Sequence, residues 1–126
     1  MQVTLNRLKA LSDGNRLRVV YALMNCDELC ACQITELLQV TGATVSRHLS
    51  LMVSAGILDS RKSGRWRYYS LCSSESSSAL FAWLRGALEV CDWSREYTSR
   101  LSSIVTSSNE EFCKLRTNDG SCGDGN

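Results

Sequence analysis

The stretch TGATVSRHLSLMVSAGILDSRKSGRWRYYSL, residues 41–71, decides the fold. Its first half has a helical period. Val45, Leu49 and Met52 form one apolar stripe, Val40-Thr41-Gly42 reads as a turn and cap before it, and Gly56 ends it. The second half changes period. Ile57-Leu58-Asp59-Ser60-Arg61 and Trp66-Arg67-Tyr68-Tyr69-Ser70-Leu71 read as strands, joined into a hairpin by Lys62-Ser63-Gly64-Arg65. Charge concentrates in the same stretch. Arg47, Arg61, Lys62, Arg65 and Arg67 against Asp59 give residues 41–70 a charge of +4. The whole 126-residue chain carries only +1, so the remainder carries −3. A near-neutral chain therefore conceals one basic segment.

Upstream, Ile34, Leu37 and Leu38 face inward on a short helix, which completes a helix–turn–helix pair. Before it, Leu5, Leu8 and Leu11 share a face of a first helix. Asp13 caps a second one, striped by Leu17, Val20, Leu23 and Met24. Residues 25–32 read as irregular. Downstream, the serines of residues 73–78 open a fifth helix with Leu80, Phe81, Leu84, Leu88 and Cys91 at helical spacing. Tyr97, Leu101, Ile104 and Val105 continue into a sixth. From about Thr106 the chain turns polar. The expected architecture is mainly α with a small β-hairpin, a winged helix-turn-helix over residues 1–106. Residues 107–126 are expected to be a flexible tail.

Composition narrows the function classes. At 44% apolar and 21% charged the chain is ordinary globular material. No run approaches the roughly 18 apolar residues of a membrane span. Met1 to Arg7 contain no signal-like apolar region, so a cytoplasmic protein with no membrane partner is expected. There are seven cysteines and one histidine. An odd number of thiols cannot all pair internally, and clustered thiols in a reducing compartment point to metal or redox chemistry. The chain has no C-x-x-C, no nucleophile–His pair with a third orienting group and no phosphate loop, so no enzyme is expected.

A reading helix must offer short polar groups to base edges and phosphates. Thr41, Thr44, Ser46, Arg47 and His48 offer them opposite the stripe of Val45, Leu49 and Met52. The hairpin adds Arg61, Lys62, Arg65 and Arg67 for a neighbouring phosphate or minor groove. Trp66, Tyr68 and Tyr69 read as packing within the wing.

Four segments, in this order, carry a resemblance: residues 11–18, Glu28-Leu29-Cys30-Ala31-Cys32-Gln33-Ile34, Thr44-Val45-Ser46-Arg47-His48-Leu49 and Gly64-Arg65-Trp66-Arg67-Tyr68-Tyr69. Together they resemble the ArsR/SmtB family of metal-responsive repressors over about residues 5–91. The resemblance implies a homodimer, formed through the first and fifth helices, that binds operator DNA and leaves it on binding a ligand. It marks Glu-Leu-Cys-x-Cys as the thiolate metal box. Where the family usually has Pro-Thr or Pro-Ala, this chain has Gly14-Asn15, and Asp13 still supplies the cap.

Cys30 and Cys32 form the core of that box. On an ideal helix two residues apart means roughly 200° apart, so both sulfurs could meet one ion only by unwinding the first turn. As(III) and Sb(III), the expected inducers, accept three thiolates in a pyramid. In the arsenical members that this chain resembles, a third cysteine follows three residues later, and here that residue is Thr35. Three repairs stand open. Cys26 is the preferred third ligand; Cys113 or Cys122 folds back; or two thiols suffice, as they would for an organoarsenical with one carbon substituent. Cys72 and Cys91 read as small packing residues. The alternatives in ligand class are another thiophilic ion, Cd(II), Pb(II) or Bi(III), or a thiol redox switch. Sensors built on several imidazoles are excluded by the lone His48.

Overall fold

Asp13 starts the fold's first long helix. Its carboxylate accepts from the backbone amides of Asn15 and Arg16 at 2.9 and 3.1 Å, capping α2 (Gly14–Asn25). Glycine and asparagine at the usual proline position therefore leave the helix intact. The computed structural model describes residues 1–73 and 75–106. Before α2 lies α1 (Gln2–Ala10). After it come β1 (Leu29–Cys30), α3 (Ala31–Leu38), α4 (Gly42–Ser54), β2 (Leu58–Ser63), β3 (Trp66–Leu71), α5 (Glu75–Glu89) and α6 (Ser94–Thr106).

Most of the apolar stripes meet where the sequence placed them, but Leu5, Leu8 and Val105 are exposed. Val20, Leu23, Ile34, Leu37, Val45, Leu49, Met52, Ile57, Leu84, Leu88, Leu101 and Ile104 are all buried. Gly56 ends α4 at φ +79°. Its amide bonds to Val53 O and the Ile57 amide to Met52 O, which closes the last turn in a Schellman arrangement. α6 locks on through side chains. The Tyr97 hydroxyl donates to Arg18 O at 2.7 Å, and Arg100 donates to Leu37 O at 2.9 Å, satisfying a carbonyl in the last turn of α3. Trp93 stands edge-on to both Tyr21 and Tyr97.

Two features correct the sequence reading. The linker at residues 25–32 is not wholly irregular, because Leu29 and Cys30 form β1 and pair with Tyr69 and Tyr68. The hairpin is thus two strands of a three-stranded antiparallel sheet, ordered β1-β3-β2. The hairpin turn is also shorter than expected. Lys62 and Ser63 belong to β2, leaving a two-residue turn in which Gly64 takes φ 62°.

Candidate functional site

β1 decides the thiol geometry. Cys30 is not a helical residue. It is the extended N-cap of α3, at φ −86° and ψ 165°, and its backbone amide donates to the Gln33 side chain at 3.0 Å. Cys32 lies in the first turn. This corrects the helical estimate, which put the sulfurs on opposite sides. Strand backbone at Cys30 turns its side chain towards the helix start, and the two thiols hydrogen-bond each other. Both are buried, at 1% and 0% exposure, in a small cluster of their own beneath half-buried Trp66 and Tyr68. The Cys32 hydrogen bond, then burial, push the Cys30 thiol far above the ordinary thiol range. The Gln33 and Cys32 backbone amides act the other way.

Cys26, expected as third ligand, does not join them. Its thiol donates to Ala22 O at 3.3 Å at the end of α2, and it packs against the main core. Burial, with Asp27 nearby, pushes it up to about 11. Thr35 is buried and its hydroxyl donates to Ala31 O at 2.7 Å. Among the described residues no three His, Cys, Asp or Glu side chains converge. Cys72 and Cys91 are half-buried, and Cys91 donates to Ala87 O. Cys113 and Cys122 lie outside the described residues.

On α4, Thr41 is the N-cap, and its hydroxyl accepts from the Thr44 amide at 3.2 Å. Arg47 is exposed, while Thr44 and Ser46 are half-buried. His48 departs from the expected open face. Its Nδ1 meets Arg16 Nη1 at 3.2 Å, its Nε2 lies 4.0 Å from Asp13, and its side chain is 14% exposed. Burial first, with help from Arg16 and Arg47, holds its imidazole below the usual value, against the pull of Asp13. Burial would raise the Asp13 carboxyl, but the Arg16 amide, His48, the Arg16 charge and the Asn15 amide together keep it low.

The wing separates its cations by face. Arg61 on β2, Tyr68 on β3 and Cys30 on β1 lie in one cross-strand row. The Arg61 guanidinium forks onto Glu28, Nε 2.9 Å from Oε2, and covers the Tyr68 ring at 4.8 Å. Arg65 covers Trp66 at 5.1 Å. On the opposite face Lys62 and Arg67 are direct cross-strand partners, an unfavourable like-charge pairing unless an anion bridges it. Arg67 Nη1 reaches Ser60 Oγ at 3.4 Å, and its buried Nε has no hydrogen-bond partner among the described residues.

This geometry has close relatives. A model described as "Bacterial regulatory protein, arsR family" matches residues 13–60. The arsenical resistance operon repressor of Bacillus subtilis is 34% identical over 74 residues, covering 59% of this chain and 70% of that one. The chain belongs to the ArsR family. The cadmium resistance transcriptional regulatory protein CadC of Listeria innocua is 46% identical over 61 residues, 48% of this chain and 51% of that one. This ArsR-family chain thus spans about half the length of the first curated relatives that it matches. In fold it resembles HlyU from Vibrio cholerae at TM-score 0.62 and 23% identity, covering 68% of this chain and 91% of that one. The matching family model is one of bacterial regulatory proteins. No described helix is long and apolar enough to cross a membrane.

Several residues around the candidate site escaped the sequence reading. Ser50, Leu51 and Ser54 line a groove along α4 with Ser46 and Arg47. The steps of three and four residues onward from Arg47 would have found them. Glu28 and Trp66 acquire their roles only through the pairing of β1 with β3, for which two residues give no periodic signal.

Proposed function

We propose that this ArsR-family chain is a cytoplasmic transcriptional repressor that binds operator DNA as a homodimer and releases it when Cys30 and Cys32 take up trivalent arsenic or antimony. The convergence of two buried thiols at the start of α3 carries this reading. Residues 1–106 are the working unit, with residues 107–126 as a polar tail.

The donor set fits such a ligand. Two soft sulfurs suit a thiophilic element. The Cys30 thiol is held in its neutral form, which penalises a divalent cation that must displace thiol protons into water. A metalloid hydroxide escapes that penalty, because each thiol hydrogen leaves with a hydroxide as water. α3 is buried along most of its length and anchored at its end by Arg100. A shift at its first turn is therefore passed on to α4 through the three-residue turn between them. α4 presents Arg47 and the Thr41 cap to DNA, with Thr44 and Ser46 behind. The wing presents Lys62 and Arg65, and Arg61 guards its edge. The Lys62–Arg67 pairing favours a phosphate on that face. His48 acts from behind, tying α4 to the cap of α2.

Cd(II) is the second reading, favoured by the 46% identity to a regulator named for cadmium resistance. Operator DNA bound by the protein and titrated with arsenite, antimonite, Cd(II) and peroxide separates the readings. Arsenite and antimonite should release it. Cys30→Ser and Cys32→Ser should bind DNA within about twofold of wild type yet stay bound with either ion. Release by Cd(II) alone would transfer the proposal to cadmium, and release by peroxide alone would make the pair a redox switch.

A further inference from the structure

We infer that Trp66 and Tyr68 are specificity-determining residues, an aromatic cover that makes Cys30 and Cys32 a site for a trivalent metalloid carrying one apolar organic substituent. The inference rests on the thiol pair being the ligand site.

Three observations lead there. Among the described residues, two sulfurs meet. The position one turn into α3 is Thr35, whose hydroxyl is already given to Ala31 O, and Cys26 is turned into the main core. A trivalent centre held by two sulfurs must therefore keep a third substituent of its own. Next, the apolar side chains packed over the thiols are two aromatic rings. Trp66 and Tyr68 follow one another on the Cys30 face of β3 and pack on both thiols. A hydroxyl pressed against ring faces would lose water, whereas an alkyl or aryl group gains burial there. Finally, the cover can open. Both rings are only half-buried, in a cluster separate from the main core, and outside them lie the exposed guanidinium groups of Arg65 and Arg61. They can move outward by a substituent's width and close over it.

The uptake step balances without redox change. From R–As(OH)₂ and two thiols, two As–O bonds break and two As–S bonds form. The two hydroxides leave as water with the thiol hydrogens, and arsenic stays trivalent. Lining the pocket, the rings meet only R.

The test uses the full chain and three probes: arsenite, methylarsonous acid and phenylarsonous acid. Binding is taken as the part lost in the Cys30→Ser/Cys32→Ser variant, and each affinity is divided by that of dithiothreitol for the same probe. Burial of the substituent predicts a preference over arsenite of about fourfold for methyl and about thirtyfold for phenyl. Trp66→Ala and Tyr68→Ala should each shrink the phenyl preference severalfold, and Trp66→Phe should restore most of it. Helix content by circular dichroism identifies which variants are folded, and either alanine variant alone suffices for the readout. A wild-type preference equal to that of dithiothreitol, or one unmoved in the folded alanine variants, overturns the inference and leaves the thiol site standing. Loss of arsenite binding in Cys113→Ser/Cys122→Ser, with the phenyl probe unaffected, also overturns it, since the tail would then supply the third sulfur. Undiminished binding in the Cys30→Ser/Cys32→Ser variant removes the site reading itself.

Discussion

Cys30 shows how one backbone conformation sets a site's chemistry. As a helical residue it would have faced away from Cys32. As the extended residue that ends β1, it shares a hydrogen bond with Cys32 and is kept protonated by that bond and by burial. The protonation state leads to a prediction that separates ligand classes by pH alone. Cd(II) must expel the Cys30 proton, so its apparent affinity should rise about tenfold per pH unit for each proton released between pH 6 and 8. Uptake of arsenite or antimonite releases water and no net proton, so its affinity should stay nearly flat over the same interval. Competition titrations at three pH values measure both slopes. A steep fall for arsenite with rising pH would mean that the free site holds thiolates, which must take up a proton for each hydroxide released as water, and the fit argued from the raised Cys30 would fail.

At the scale of elements, the position of α4 depends on how its ends are tied. Thr41 caps its start and Gly56 closes its end at φ +79°, from which the chain turns into β2. A Cβ at Gly56 would meet only the Arg7 guanidinium, at 3.8 and 3.9 Å, which is ordinary contact. The cost of Gly56→Ala is then that of left-handed backbone, about 1–2 kcal/mol. Urea unfolding should show that loss, and a loss below about 0.5 kcal/mol would mean that the turn relaxes to another conformation. These ends were legible in the sequence, because a cap residue and a stopping glycine act locally. So were the six helices, whose stripes repeat over several turns. β1 was not legible. Two residues carry no period, and the strand exists only because β3 lies beside it. The fate of His48 was hidden for a related reason. Helical spacing gives the side of α4 it occupies, but Arg16 and Asp13 reach it from another helix. The thiol box was thus readable as a pair of residues and unreadable as a geometry.

At the scale of the whole molecule, the distribution of apolar surface bears on assembly. The core takes Leu11, Leu84 and Leu88, yet Val3, Leu5 and Leu8 on α1 are 63%, 40% and 56% exposed, and Trp83 on α5 is 68% exposed. A monomer would leave these four large side chains to water. The two helices that carry them are the pair that the family resemblance assigns to dimerisation. A two-fold pairing through both helices would present two α4 helices and two wings to DNA, and a symmetric reader requires half-sites about 34 Å apart, one turn of the duplex. Leu8→Glu and Trp83→Asp should therefore shift the protein from dimer to monomer in sedimentation at micromolar concentration. Operator affinity should fall by at least tenfold, because each half-site then binds alone. Cys30 and Cys32 lie in a separate cluster, under β3, and the same variants should keep wild-type ligand affinity per chain. A wild-type chain that sediments as a monomer, or charged variants that remain dimers, would place the contact elsewhere. Loss of ligand binding along with the dimer would show instead that the partner chain completes the thiol site.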